Sequence, residues 1–186
     1  MEFLPYIYKW IEVLLRWSHV LFAILWVGNS FLFNYLDNKL EKNTSNKEVD
    51  AEGILQHSGW FYRLERLKVA PEQFSKNLII FKWQSYLTFI TGILLLTIIY
   101  YANSNILMID KRVNENITPL MGIAISIFSI IGSWLIYDLI CKSKLINNKI
   151  IFTVVLLIIG TVISFCLTRI FGPKFAFFLL ALFWDA

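Results

Sequence analysis

One stretch limits what this chain can fold into more than any other. It runs from Trp10 to Asp37, W-I-E-V-L-L-R-W-S-H-V-L-F-A-I-L-W-V-G-N-S-F-L-F-N-Y-L-D. It is long and apolar enough to cross a bilayer, for which about 17–25 residues are needed. Its first half nevertheless carries Glu12, Arg16 and His19. At i, i+4, i+7 spacing these three share one helix face, and that face continues through Ala23, Trp26, Ser30 and Asn34. The other face is Leu, Val, Ile and Phe. A charge near the bilayer centre costs at least about 2.5 kcal/mol, so such a face is expected to meet a bundle interior, a partner or a cofactor. Glu12 and Arg16 can also satisfy each other as an i,i+4 pair that snorkels to the interface. His19 lies deeper and is the stronger candidate for a site.

Composition extends the membrane reading to the whole chain. It is 58% hydrophobic and 16% charged, against about 45–50% and 25% for soluble domains. The N-terminal apolar run is too long for a signal peptide and no small-residue cleavage site follows it. The net charge of +4 comes without a dense basic block, which leaves nucleic-acid binding without support. Cys141 and Cys166 fall in or beside apolar spans. They form neither a C-x-x-C nor a disulfide framework, so they read as ordinary membrane-helix thiols. No phosphate-binding or dinucleotide glycine motif, H-E-x-x-H or G-x-S-x-G is present. The lack of an internal repeat argues against a small transporter.

The expected fold class is all-α: a polytopic transmembrane helical bundle forming a single membrane domain over 1–186. Four full spans are expected at about 10–36, 83–102, 119–141 and 150–168, and a partial fifth at 175–184. Met1 to Lys9, with Pro5 and two tyrosines, reads as an interfacial lead-in. The 37–82 segment is expected to be a long loop. Its first part has nothing to bury and reads as a flexible connection. Its second part, H-S-G-W-F-Y-R-L-E-R-L-K-V-A-P-E-Q-F, is dense in aromatic and basic groups. That part is expected to fold back on the membrane surface or into the bundle mouth. In the third span Gly122, Ser126, Ser129, Ser133 and Tyr137 share a face suited to close helix packing. The basic turn Lys142 to Lys149 is expected on the cytoplasmic side. The 37–82 loop is then cytoplasmic and the N-terminus outside.

Two histidines exist in the chain, His19 and His57. Imidazole is a common axial ligand of haem iron, and helical bundles hold cofactors through inward side chains. His57 also reads as an exposed loop histidine. Tyr62, Arg63, Arg66 and Lys68 form a cluster able to bind a planar anion by stacking and charge-assisted hydrogen bonds. The same residues suit an amphipathic segment lying on headgroups.

R-W-S-H-V-L-F-A-I-L-W-V-G-N-S-F-L-F-N-Y-L-D-N resembles the first helix of the membrane-bound bacterial urate oxidases, also called urate hydroxylases. The resemblance continues through H-S-G-W-F-Y, L-K-V-A-P-E, F-K-W-Q-S-Y-L-T-F-I-T-G, Y-Y-A, W-L-I-Y-D-L-I-C-K-S and L-T-R-I-F, in that order. It implies a bacterial inner-membrane, multi-pass domain of purine catabolism. Urate would be hydroxylated and electrons would pass to a cytochrome c rather than directly to oxygen. Positions carried over are Arg16, His19, Trp26, His57, Tyr62, Lys82 and Trp83. His19 and His57 would be catalytic or ligate haem b, with no other metal, and Arg16 and Trp26 would line that cofactor. Tyr62, Arg63, Lys68, Lys82 and Trp83 would hold urate.

The resemblance also marks departures. It implies histidines where this chain has Thr168-Arg169 and Phe178-Leu179, and a carboxylate where it has Gln84. The related domains carry more spans and a C-terminal cytochrome c. The expectation is therefore a shortened form completed by a further membrane subunit or a second copy, with a separate electron acceptor. The alternative is a non-catalytic or degenerate membrane subunit of a haem or redox complex.

Overall fold

The computed structural model describes residues 3–72, 79 and 81–185. Met1 and Glu2 of the expected lead-in, and 73–78 and 80 of the expected loop, lie outside the described residues. Four helices are long and apolar enough to cross a membrane: Phe3–Lys39, Lys82–Tyr101, Pro119–Lys142 and Ile150–Ile170. This is the helical bundle expected, with different element ends and one added feature.

The first helix, α1, is Phe3–Lys39 and takes in the expected interfacial lead-in, since Pro5 falls in its first turn, where no intrahelical N–H bond is lost. The second, α2, is α-helical over Lys82–Leu95 and continues as a π-helix over Leu96–Tyr101. A second π segment follows at Ser104–Met108 inside the stretch expected to be a polar link. The i+5 bonds from Ala102 N–H to Thr97 O (3.0 Å) and Ile109 N–H to Ser104 O (3.3 Å) close the two segments. Helix α3, Pro119–Lys142, is capped by Thr118, whose Oγ1 accepts from Met121 N–H at 3.3 Å, with proline in its first turn. Helix α4, Lys149–Ile170, is capped by the Asn148 side chain. Gly172 and Pro173 break the chain into α5, Pro173–Asp185, whose 13 residues are too few to span.

The expected loop at 37–82 requires correction. It holds a three-stranded antiparallel sheet in the order β1-β2-β3, with β1 Glu41–Lys42, β2 Val49–His57 and β3 Trp60–Leu67. Ser58 (φ 50°) and Gly59 (φ 83°) turn β2 into β3. Positive φ at both central residues gives the turn whose twist matches a hairpin, which is what a Ser-Gly pair supplies. The stretch read as a flexible connection is also ordered: Val49 is buried, and Leu40 folds so close over β2 that a Cβ at Gly53 would lie 2.9 Å from Leu40 Cδ2. Arg66 ties the sheet to the end of α1 through Asp50 (2.6 Å) and Asp37 (3.0 Å).

The apolar core lies where α5 meets the ends of α2, α3 and α4. Leu96, Met108, Leu167, Phe171, Phe175, Ala176 and Leu179 form it. The small-residue face of α3 packs here: Gly122 lies against Met108 and Phe171, Ser126 meets the Tyr101 hydroxyl at 2.7 Å, and Ser133 is buried. Asp138 pairs with Lys142 at the end of α3.

Candidate functional site: the seam between the first two helices

Helix α1 packs along α2, and the contacts fix the direction. Tyr8 donates its hydroxyl proton to the Ile98 carbonyl, His19 meets Thr88 and Thr91, Asn29 meets Gln84, and Phe33 meets Phe81. Numbers rise on one helix as they fall on the other, so the pair is antiparallel. The side chains at these crossings include the polar face read from the sequence.

His19 is the centre of the seam. Its Nδ1 lies 3.1 Å from the Thr88 carbonyl oxygen and 3.0 Å from Thr91 Oγ1. A carbonyl can only accept, so the contact with Thr88 requires that Nδ1 carry the proton. Thr91 meanwhile directs its hydroxyl toward the carbonyls of Leu87 (2.6 Å) and Thr88 (3.0 Å), which leaves its oxygen free to accept from His19. In the neutral ring this contact selects the tautomer that leaves the lone pair on Nε2. A backbone carbonyl gripping one imidazole nitrogen is the arrangement that orients the other as a ligand or base. Thr88 and Thr91 are buried in α2 beneath the ring. About two turns from the Lys82 end of a twenty-residue span, this is membrane-interior depth.

On one side of His19, Glu12 and Arg16 form an ion pair, with Arg16 Nη2 2.6 Å and Nε 3.0 Å from Glu12 Oε1. They lie between the Tyr8–Ile98 and His19–Thr88 crossings, inside the span rather than beyond its edge. The Arg16 side chain is 55% exposed, on the part of α1 that α2 does not cover. On the other side, Trp26 is half-buried. Asn29 Nδ2 donates to Gln84 Oε1 at 2.7 Å, an amide pair at the position where the resemblance implied a carboxylate. Asn29 escaped the sequence reading, although it lies three residues beyond Trp26 and so neighbours it on the helix surface.

The remaining predicted residues lie at the sheet end. His57 is exposed beside the hairpin turn, opposite Trp60. No contact between His57 and His19 occurs among the described residues. Arg63 is engaged by Glu52 (2.8 Å) and Glu65 (3.0 Å), and Lys68 Nζ donates to the Lys47 carbonyl at 3.0 Å. Tyr62 is exposed on β3. Asp50 first, then Asp37, raise the pKa of Arg66 by hydrogen bonding its guanidinium. Lys82 and Trp83 share the first turn of α2, the ammonium 5.8 Å from the indole centre, and Trp83 stacks edge-on with Tyr86. Where the resemblance implied further histidines, Arg169 lies over Phe165, Phe178 packs on Tyr100 and Leu179 is buried in the core. No group of three or more His, Cys, Asp or Glu able to hold a metal ion occurs among the described residues.

The family model described as urate oxidase N-terminal matches residues 5–184. No curated protein and no solved structure matches the chain.

Proposed function

The chain belongs to the urate oxidase N-terminal family, and from that premise we propose that it is the membrane domain of a urate-oxidising system, seated in a bacterial inner membrane with the N-terminus outside. The observation that carries this reading is the His19 imidazole, held at membrane depth by Thr88 with its Nε2 free. The donor chemistry of an imidazole fits a ligand to the iron of a haem b. His19 would be that ligand, Trp26 would flank the ring and Arg16 would face its carboxylates. A haem held there would supply one-electron redox chemistry, and the electron acceptor would be an external cytochrome c.

The protein's own groups divide the remaining work. Thr88 and Thr91 keep the proton on His19 Nδ1. Lys82 and Trp83, at the sheet end of the seam, offer an ammonium and an aromatic face to a planar purine anion. Tyr62, exposed on β3, and Lys68 would be the sheet's own contributions to anion binding. Arg63 already faces two carboxylates, so it acts through the sheet more than through substrate. His57 is exposed beside the turn and away from His19, so proton transfer or iron ligation falls to it only by the resemblance.

The purified protein from haem-replete cells is expected to show a Soret band that shifts on reduction and is lost in His19→Ala, with the helical circular dichroism retained. Membranes should consume urate when cytochrome c is added. A colourless, folded preparation would remove the haem reading. Coloured membranes that leave urate untouched would favour the second reading, a non-catalytic membrane subunit or a completing partner of a redox complex. That reading is favoured by the exposed Arg16 at membrane depth, which calls for a neighbouring membrane helix.

A further inference from the structure

Strand β3 is an edge. The sheet order β1-β2-β3 leaves no strand on its outer side among the described residues. It is eight residues long, W-F-Y-R-L-E-R-L, with no proline and no glycine, and Trp60 and Phe61 are 72% and 75% exposed. Water-soluble sheet edges are usually blunted because a bare row of N–H and C=O groups recruits another strand. No proline or glycine interrupts this edge, and its charges, Arg63, Glu65 and Arg66, are of both signs.

We infer that β3 is the interface through which two copies of this chain associate, edge to edge and antiparallel, in one register centred on Leu64. The argument rests on which backbone groups face outward. The two-residue Ser58–Gly59 turn is closed by the hydrogen-bonded pair His57–Trp60. Residues alternate from there, so Tyr62 and Leu64 send their N–H and C=O groups to β2, and Phe61, Arg63 and Glu65 send theirs outward. A second strand can pair only where outward residues face outward residues. For two identical antiparallel strands this restricts the two-fold axis to pass at a residue, not between residues.

The permitted registers then differ in charge. An axis at Arg63 sets Arg63 against its own copy, and one at Glu65 sets Glu65 against its own copy. An axis at Tyr62 sets Arg63 against Phe61, and one at Arg66 sets Arg66 against its own copy. With the axis at Leu64, Arg63, already paired with Glu52 and Glu65 of its own chain, faces Glu65 of the second copy and Glu65 faces its Arg63, so the ladder of ion pairs continues across the axis. Phe61 then faces Leu67, and Tyr62 faces Arg66. Opposite charges, apolar groups and a cation–aromatic pair thus fall opposite each other in this register alone. Directly opposed charges of unlike sign stabilise a sheet, and like charges oppose it. The strand is complementary to itself, which is the requirement for a two-fold interface. The occupant is therefore a second copy of this chain.

The test uses the full chain in nanodiscs with Cys141 and Cys166 replaced by serine. Leu64→Cys should form a disulfide-linked dimer under mild oxidation, because a facing non-hydrogen-bonded pair brings side chains closest. Arg63→Cys and Glu65→Cys should link at least about fivefold less, since each is offset from its own copy by two pairs. Arg63→Glu or Glu65→Arg should lower the dimer fraction about tenfold, and the double swap Arg63→Glu/Glu65→Arg should restore it. The double swap keeps an ion pair with Glu52 inside the hairpin, so a failure to fold is distinguishable by circular dichroism. A monomeric mass for the unmodified protein would overturn the inference. So would equal linking at all three positions, or Leu64→Cys linked to a different polypeptide.

Discussion

Along α2, the half from Lys82 to Thr91 meets α1 through groups that hydrogen-bond: Gln84 to Asn29, Thr88 and Thr91 to His19. From Leu95 onward the same chain keeps the Tyr8–Ile98 contact with α1 and turns Leu96 and Tyr100 into the apolar core with α5 and Met108 of the second π segment. The seam leaves α1 without a fully buried residue, whereas Phe171 and Phe175 in the core are completely buried. The switch falls where α2 changes to π-helical bonding, a change that re-aims side chains within one turn and often accompanies a site. In lipid, apolar burial between helices brings little transfer energy, because acyl chains are as apolar as leucine. The core must therefore hold by close fit, and the seam by polar contacts that have no substitute in lipid.

The largest effect should come from breaking the fit. Phe171→Ala would empty the space between Gly122 and Phe175. A loss of about 3 kcal/mol is expected, at the low end for a buried Phe→Ala because the reference state is lipid rather than water. Denaturation by SDS titration from a mild detergent measures it, and His19 spectroscopy should be unchanged below the transition. If Phe171→Ala were neutral, the core would be no tighter than the seam.

Next comes the charge at depth. Glu12→Ala leaves Arg16 without its carboxylate inside the span. About 2 kcal/mol should be lost in the same titration, and the double variant Glu12→Ala/Arg16→Ala should recover most of it. A smaller effect attends the amide pair: Gln84→Leu should cost about 0.6 kcal/mol, the usual worth of one interhelical hydrogen bond in a membrane. Together the two variants ask whether the seam is held by its ion pair or by the sum of its polar contacts.

Much of this arrangement was legible in the sequence, and the exceptions have physical causes. The four long helices follow from apolar length. The seam follows from the i, i+4, i+7 placing of Glu12, Arg16 and His19, and the packing face of α3 from Gly122, Ser126 and Ser133. The sheet was hidden because β2 and β3 carry Asp50, Glu52, Arg63, Glu65 and Arg66, which read as loop polarity. Paired across strands, those charges neutralise one another. The signal was present in the Ser58-Gly59 turn between two extended runs. The π segments left no such signal. Leu96 and Met108 look like any apolar residue, and only the arrival of α5, eighty residues further along, gives the widened turn its packing reason.

The sheet also supplies the control that the seam requires. Arg66 Nη2 lies 2.6 Å from Asp50 Oδ2, the same separation as Arg16 Nη2 from Glu12 Oε1. The two pairs share chemistry and length and differ in surroundings, one in water and the other at membrane depth. Hydrogen bonding by Asp50 and Asp37 raises the Arg66 pKa. A group whose pKa is raised on folding contributes at every pH below its unfolded value, and loses that contribution only as pH passes the folded one. For a guanidinium both lie above any working pH, so pH should leave this anchor unchanged and salt should weaken it. Arg66→Ala is therefore expected to cost less than Glu12→Ala and to cost less still in high salt, while the cost of Glu12→Ala holds steady. Hydrogen exchange in β2 and at the end of α1 reads the first, and SDS titration at two salt concentrations reads both. Equal costs for the two variants would mean that Arg16 is hydrated in place, and that water reaches the His19 seam.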